Sequence, residues 1–316
     1  MRSFSVRALL EARAALRIAR AALHVAGGLV TVLALYPLLA HRGRAAVSRR
    51  WSAALLQMLG VEIRSGGAPV PNGALLVANH VSWLDVLVVN TVCPVTFVSK
   101  REVGAWPAIG ILLARTGTVL LRRGDGHAAW SAVHEIGALL GAGRAVAIFP
   151  EGTTSDGRRV LPFRPALLQA AVNEQSRVVP LALSYHDARG ERCAAAAFVG
   201  DMNLLQSLRR IASAPRVVAS VTILPVQTPR AAPSQAPHGF ARRELATRCR
   251  QLVLEQLCGK QQPAAVPELA RRSVARGLGV PRRLDSAQNL FQVAEPGRSL
   301  PHVGLEARND AAVEQS

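Results

Sequence analysis

The residues best suited to chemistry are a histidine and an aspartate five positions apart, His80 and Asp85, within residues 79–85 (NHVSWLD). An imidazole can take a proton from an alcohol near neutral pH. A carboxylate on the other ring nitrogen would fix the tautomer and stabilise the imidazolium that forms. On a regular helix the two side chains would diverge by about 140°. The pair therefore requires His80 to lie in a turn before a helix, with Asp85 reaching back to it.

A second polar segment is formed by residues 149–155 (FPEGTTS), which contain a carboxylate and three hydroxyl side chains. Gly152 permits a close approach of the backbone to a ligand. Free backbone N–H groups in such a loop can also bind an anion. The same residues would suit a plain turn between a strand and a helix, so this segment alone specifies no ligand.

Both segments follow short apolar runs, residues 74–78 and 145–149, which we predict to be strands. Catalytic groups in α/β sheets lie characteristically at the carboxyl ends of strands. Further strands are predicted over 95–98, 119–121, 178–184 and 217–223, and helices over 127–140 and near 167–172. The alternation predicts an α/β fold with a mixed or largely parallel sheet flanked by helices. Pro180 indicates that its strand is an edge strand or carries a bulge.

The N-terminal region is apolar and basic. Residues 21–40 form an uncharged run of 20 residues, about the length that crosses a bilayer core. A basic amphipathic stretch over 5–20 precedes it, and arginines follow it. Because both flanks are basic, the charges do not predict which end of the segment would face the cytoplasm. A single span, a re-entrant hairpin, an amphipathic helix in the interface and a buried core helix all remain open. A second amphipathic helix is predicted over 47–59.

These patterns divide the chain into four segments. We predict a membrane-associating helical segment over 1–59 and an α/β domain over 60–227. A linker and a further helix, predicted at 239–257, would occupy residues 228–258. The basic tail, residues 259–316, has little periodicity and is expected to be disordered.

The composition limits the partners of the protein. A formal net charge of +18 indicates an anionic partner such as acidic lipid, an acidic carrier protein or nucleic acid. We expect no nucleic acid, because the chain has no helix-turn-helix, zinc-finger or RNA-binding signature and only 4% aromatic residues for base stacking. The four cysteines form no C-x-x-C pair, so we expect no metal site and a reducing compartment.

The two polar segments together resemble motifs of the glycerolipid acyltransferases, the family of 1-acylglycerol-3-phosphate acyltransferase. NHVSWLD and FPEGTTS stand in the family order, about seventy residues apart. Residues 117–123 (GTVLLRR) resemble the intervening motif, so that Arg123 matches the family arginine, and residues 178–181 (VVPL) resemble the hydrophobic-proline motif. The resemblance covers about residues 50–225. Arg122 stands where the family often has Asp, so the identity of the lipid that accepts the acyl group stays open.

The resemblance implies an O-acyltransferase that moves a fatty acyl group from acyl-CoA or acyl-carrier protein to the hydroxyl of a lysolipid. A thioester is already activated, so no metal or organic cofactor is expected. His80 would be the general base and Asp85 its orienting carboxylate. Arg123 would bind an anionic headgroup. The acceptor site would be shaped by Glu151, Gly152 and Thr153, with Glu151 contacting a hydroxyl or holding an arginine.

The acceptor and the compartment follow from the same resemblance. We expect 1-acyl-glycerol-3-phosphate as the acceptor, giving phosphatidate, with lyso-ornithine lipid as the alternative. Anionic membrane lipids are expected partners, at the cytoplasmic face of a bacterial inner membrane. A Ser82 acyl-enzyme is a mechanistic alternative. A non-catalytic membrane adaptor or a nucleic-acid-binding protein is a more distant one, against which the intact set of candidate site residues argues.

Overall fold

The computed structural model describes residues 2–101, 104, 109–121, 126–231, 233 and 235–259. The predictions for Arg122 and Arg123 lie outside the described residues. So does the predicted tail over 259–316, apart from Gly259 at the end of the last helix.

Seven strands and eight α-helices form the described part of the chain. The strands are β1 (Val61–Gly67), β2 (Leu75–Ala78), β3 (Thr96–Lys100), β4 (Val119–Leu121), β5 (Val146–Ile148), β6 (Val178–His186) and β7 (Val217–Ile223). The helices are α1 (Arg2–Ala34), α2 (His41–Met58), α3 (Leu84–Val92), α4 (Ile109–Thr116), α5 (Gly126–Gly141), α6 (Gln169–Asn173), α7 (Leu204–Ser213) and α8 (Phe240–Gly259). A 3-10 turn, Tyr36–Leu38, joins α1 to α2.

The strands form one mixed sheet in the order β1-β7-β6-β2-β5-β3-β4. Strands β6, β2, β5, β3 and β4 run parallel to their neighbours in that order. Strand β7 is antiparallel to β6 and parallel to β1. The predicted α/β fold with a mixed, mostly parallel sheet is therefore confirmed.

The core has two layers of helices, one on each face of the sheet. Strand β2 is buried on both faces, and its alternate residues point to opposite sides, as the period of two in a strand requires. Leu76 and Ala78 pack in the cluster that includes residues of α1, α2, α3 and α7. Leu75 and Val77 pack in the cluster that includes residues of α5, α6 and α8. The turn after β2 therefore starts from the central strand of the sheet, between the two helix layers.

The predictions for Pro180 were an edge strand or a bulge in its own strand. Strand β6 is not an edge strand, because it pairs with β2 on one side and β7 on the other. Two residues separate Val178 from Leu181, whereas three separate their partners Gln227 and Ile223, so the extra residue lies opposite Pro180, in the segment after β7, and not in β6. This irregularity accommodates a residue that has no N–H to donate to the neighbouring strand.

Three elements were not predicted from the sequence: β1, α4 and α7. Strand β1 lies at the sheet edge, and its polar, glycine-containing second half is exposed, which hides the alternation expected of a strand. Helix α7 begins with a capping box in which the Asn203 side chain accepts from the backbone N–H of Gln206. The N-x-x-Q pattern in the sequence is a signal for the start of a helix, so this helix could have been predicted.

The N-terminal region forms a helical hairpin on the α/β body. Helix α1 runs without a break through Gly27 and Gly28. The His24 ring stacks on Trp51 of α2, with 5.3 Å between the ring centroids. Helix α2 begins six residues before the predicted start at 47. It leads into β1 through Gly60, whose φ of +79° is in the left-handed region that glycine tolerates.

Candidate active site

His80 and Asp85 are in direct contact. Helix α3 begins at Leu84, so His80 lies in the preceding turn and Asp85 lies in the first helical turn. The distance from His80 Nδ1 to Asp85 Oδ2 is 2.7 Å. The geometric requirement set by the sequence is therefore met. The Asp85 side chain has no exposed surface, whereas the imidazole keeps 20% of its surface exposed.

Asp85 is held by four hydrogen-bond donors, although its side chain is fully buried. Its Oδ2 atom accepts from the backbone N–H groups of Val81 at 2.7 Å and Ser82 at 3.0 Å, as well as from the imidazole. Its Oδ1 atom accepts from Tyr185 Oη at 2.5 Å. Such donors replace the water that a buried carboxylate has lost. A carboxylate at Nδ1 places the ring proton there and leaves Nε2 as the accepting nitrogen.

Asn79 fixes the point at which the turn that carries His80 leaves the sheet. Its Nδ2 donates to the carbonyl of Leu183 at 2.9 Å. The N–H of Leu183 donates back to Asn79 Oδ1 at 2.7 Å. The side-chain amide thereby imitates a peptide group and extends the pairing of β2 with β6 by one step beyond Ala78.

The loop after β5 lies against the same histidine. Strands β2 and β5 are parallel neighbours, so the segments at their carboxyl ends meet. Phe149 stacks on the His80 ring, with 4.2 Å between centroids and 17° between planes. The N–H of Ser155 donates to the His80 carbonyl at 2.8 Å. The two polar segments identified in the sequence therefore form one site.

Glu151 lies between its own loop and the turn that carries His80. Its carboxylate is buried and accepts from the backbone N–H of His80 at 2.8 Å and of Leu161 at 3.0 Å. The contact of Glu151 with an acceptor hydroxyl or with an arginine stays a prediction. Burial raises the pKa of Glu151, while the two amides and the nearby His80 act in the opposite direction. Glu151 thus joins the two halves of the site.

The remaining predicted residues of this loop are Gly152 and Thr153. Gly152 has a φ of +72°, so glycine is needed there for conformational reasons. The Thr153 side chain is exposed. Thr154 Oγ1 donates to the Phe198 carbonyl instead. Of the three hydroxyls in the loop, that of Thr153 is thus the most accessible to a ligand.

Sequence reasoning missed Tyr185 and left Ser82 as an alternative nucleophile. Tyr185 lies in β6 and carried only the signal of an aromatic residue late in a strand. The Ser82 side chain has no exposed surface, and its Oγ has no hydrogen-bond partner among the described residues. A nucleophilic serine needs a base within hydrogen-bond reach. Ser82 has none among the described residues.

The fold and the site define an α/β enzyme whose central histidine is oriented by a buried carboxylate. Residues 63–184 match the family model described as Acyltransferase. The lyso-ornithine lipid O-acyltransferase of Pseudomonas aeruginosa is 37% identical over 221 residues, which is 70% of this chain and 81% of that protein. The chain belongs to the acyltransferase family.

Two further comparisons agree with that assignment. The 1-acyl-sn-glycerol-3-phosphate acyltransferase of Neisseria gonorrhoeae is 34% identical over 180 residues, covering 57% of this chain and 70% of that protein. The crystal structure of the 1-acyl-sn-glycerophosphate acyltransferase PlsC from Thermotoga maritima superposes with a TM-score of 0.61. That match covers 83% of this chain and 99% of the other at 18% identity, and it shows a shared fold.

Proposed function

We propose that this acyltransferase moves a fatty acyl group from a thioester to the free hydroxyl of a lysolipid. The contact between His80 and Asp85 at the carboxyl end of β2 carries the proposal. The acceptor oxygen attacks the thioester carbonyl while its proton passes to His80 Nε2. The C–S bond then breaks, and the departing thiolate takes that proton. The reaction needs no cofactor, because the thioester supplies the activated acyl group.

The surroundings of the imidazole suit an acyl substrate. Phe97 also stacks on Phe149, with 6.4 Å between centroids and 7° between planes. The imidazole therefore adjoins a pair of stacked aromatic rings and is the polar member of this group. We assign the rings to the acyl chain next to the carbonyl, since apolar surface on one side and a few polar groups on the other are typical of ligand sites. The acceptor would approach Gly152 and Thr153, with Arg123 at its headgroup.

Two lysolipids are candidate acceptors. From the sequence, lysophosphatidate came first. The lyso-ornithine relative matches a longer part of both chains than the Neisseria gonorrhoeae relative does, at slightly higher identity. We therefore place lyso-ornithine lipid first and lysophosphatidate second. The donor is acyl-CoA or acyl-carrier protein, both of which present the same thioester.

Helix α1 supplies a membrane-facing surface. By length and composition, residues Ala8–Ala34 could cross a bilayer, and little of this segment is buried. Every seventh residue forms an apolar outer stripe that is 59 to 76% exposed: Leu9, Leu16, Leu23 and Val30. A buried inner stripe has the same spacing: Ala14, Ala21 and Gly28. Five positions separate the two stripes, so they lie about 140° apart on the helix.

The inner stripe is fixed to the body by polar contacts as well. Arg17 Nη1 donates to the carbonyls of Ala212 and Ala214 at 2.9 Å, at the end of α7. Arg13 Nη2 donates to Ala214 at 3.1 Å. A helix attached along its length would have to detach in order to span. We therefore favour an interfacial helix, half-immersed by its outer stripe, over a span or a re-entrant hairpin.

The function is tested with membranes that contain the protein, labelled acyl-CoA or acyl-carrier protein, and a panel of lysolipids. We expect a labelled diacyl product from lyso-ornithine lipid or lysophosphatidate. His80→Ala should lower the turnover by about 10²- to 10⁴-fold, as expected when a general base is lost. His134→Ala, on the exposed side of α5, is the matched control. Equal activity of the His80→Ala and His134→Ala enzymes would overturn the mechanism, and no product from any lysolipid would overturn the function.

A further inference from the structure

Tyr185 occupies a position that the proposed mechanism has not yet used. It lies near the carboxyl end of β6, next to β2, and its side chain is buried. Its hydroxyl donates to Asp85 Oδ1, the carboxylate oxygen that does not face the histidine. The chain of contacts therefore runs from the phenol through the carboxylate to the imidazole.

The geometry of this contact is specific. The distance from Tyr185 Oη to Asp85 Oδ1 is 2.5 Å, as short as an O–H···O⁻ bond becomes. The other carboxylate oxygen takes three donors, so Tyr185 alone satisfies Oδ1 among the described residues. Removing the hydroxyl would leave a buried oxygen of a charged group without a partner.

We propose that Tyr185 is a positioning residue that sets both the orientation and the basicity of Asp85, and through it the proton affinity of His80. The proposal rests on the proposed function, because it assigns His80 as the general base. The phenol draws charge towards Oδ1 and fixes the rotation of the carboxylate. Oδ2 then faces Nδ1 with less negative charge than a free carboxylate would have. The imidazole consequently gives up its proton at lower pH.

The groups around the pair agree with this role. Burial raises the pKa of Tyr185 well above its ordinary value, and the adjacent Asp85 carboxylate acts in the same direction, so the phenol remains a donor across any assay range. The other ionisable group that faces the pair among the described residues is Glu151, from the loop after β5. Both oxygens of Glu151 accept backbone N–H groups, and its contribution is the same with or without the Tyr185 hydroxyl.

The chain offers a matched control, because it has two tyrosines. Tyr36 is buried to the same degree as Tyr185, and its hydroxyl donates to the Arg44 carbonyl at 3.4 Å in the N-terminal hairpin. Tyr36→Phe and Tyr185→Phe each remove one buried hydroxyl and keep the ring. In the Tyr36→Phe background, Tyr185 is also the single site for 3-fluorotyrosine, a stronger hydrogen-bond donor than tyrosine.

The test compares kcat, KM and the pH profile of these variants in the acyl-transfer assay. Tyr185→Phe should lower kcat about tenfold with KM unchanged. It should also move the acid limb of the pH–rate profile to higher pH, by about half a unit. Fluorotyrosine should move that limb downward, and Tyr36→Phe should behave as wild type. An unchanged acid limb in Tyr185→Phe, with or without a lower kcat, would reduce Tyr185 to a packing residue and overturn the proposal.

A second readout does not depend on the substrate. The titration of His80 can be followed by NMR of histidine-labelled protein, with His80→Gln to identify its signal among the eight histidines. We expect His80 to titrate at higher pH in Tyr185→Phe than in Tyr36→Phe. Equal titration curves would overturn the inference. If the wild-type enzyme acylates no lysolipid, the proposed function fails while the NMR comparison still decides the role of Tyr185.

Discussion

At the scale of single residues, the backbone contributes as much to the site as the side chains do. Two of the four donors to Asp85 are backbone N–H groups of Val81 and Ser82. Both amides belong to the turn that carries His80, so the turn that positions the histidine also supports its carboxylate. The side chains of Val81 and Ser82 can therefore be changed without removing the backbone N–H groups that donate to Asp85.

Ser82 provides a test of that separation. Its Oγ is buried without a partner among the described residues, and alanine keeps the N–H that Asp85 accepts. We expect Ser82→Ala to retain kcat and KM within about twofold and to unfold at the same temperature or slightly higher, because it removes an unsatisfied polar atom. Measurement of acyl transfer and of thermal unfolding checks this. Loss of activity in a folded Ser82→Ala protein would instead support an acyl-enzyme.

At the scale of elements, the site extends to the C-terminal helix. Arg250 of α8 donates to the carbonyls of Val160 and Leu161 at 2.8 and 3.0 Å. The N–H of Leu161 donates in turn to Glu151, which accepts from the backbone of His80. A helix on the opposite face of the sheet thus holds the loop that contacts the catalytic turn.

Arg250→Ala should loosen this connection. We expect a loss of about 1 to 3 kcal/mol in the free energy of unfolding and a lower kcat, because the segment that holds Glu151 loses two hydrogen bonds. Arg250→Lys should rescue little, since an ammonium does not reproduce the guanidinium fork. Arg243→Ala, on the same helix, is the control, as its contact with Pro237 is 3.5 Å long. Denaturant unfolding and turnover measurements check the prediction. It is wrong if the Arg250 and Arg243 variants behave alike.

The elements could be predicted where the signal is local. The runs at 119–121 and 217–223 became β4 and β7 with the predicted bounds. Strand β7 is largely buried, and buried strands are nearly continuous apolar segments. The turn at His80 followed from the requirement that Asp85 reach back. The contact of Tyr185 with Asp85 could not be predicted, since the two are 100 residues apart in the chain. The partners of Glu151 likewise depend on the path of a loop, which apolar periodicity does not encode.

At the scale of the whole molecule, charge and apolar surface act together. Residues 260–316 contain eight basic and six acidic residues, so most of the net charge of +18 lies in the part of the chain that the structure largely describes. Basic surface attracts anionic lipid over about a Debye length. The outer stripe of α1 would then enter the interface. Under the membrane mode that we propose, the charge brings the protein to the bilayer and the stripe retains it there.

Leu23→Glu tests the retention step. Leu23 is 76% exposed on the outer stripe. Transfer of a leucine from water is worth about 1.5 to 3 kcal/mol, so we expect at least tenfold weaker binding to anionic vesicles, with unchanged thermal stability. Val226→Glu is the control, an exposed apolar residue outside α1. Vesicle co-sedimentation at low and high salt measures both. Equal binding of the two variants would contradict an immersed α1.

The short link at Gly60 has a consequence for protein engineering. Its positive φ sets the angle between α2 and β1, and its carbonyl accepts from Val217 at 3.3 Å. A Cβ there would collide with the Arg17 guanidinium. The helical hairpin and the sheet therefore meet at a rigid elbow that fits one residue type. A chimera that exchanges N-terminal hairpins between relatives should take Gly60 and Arg17 from the same parent. If the junction lies between these two residues, the new hairpin would pack on the sheet at a different angle.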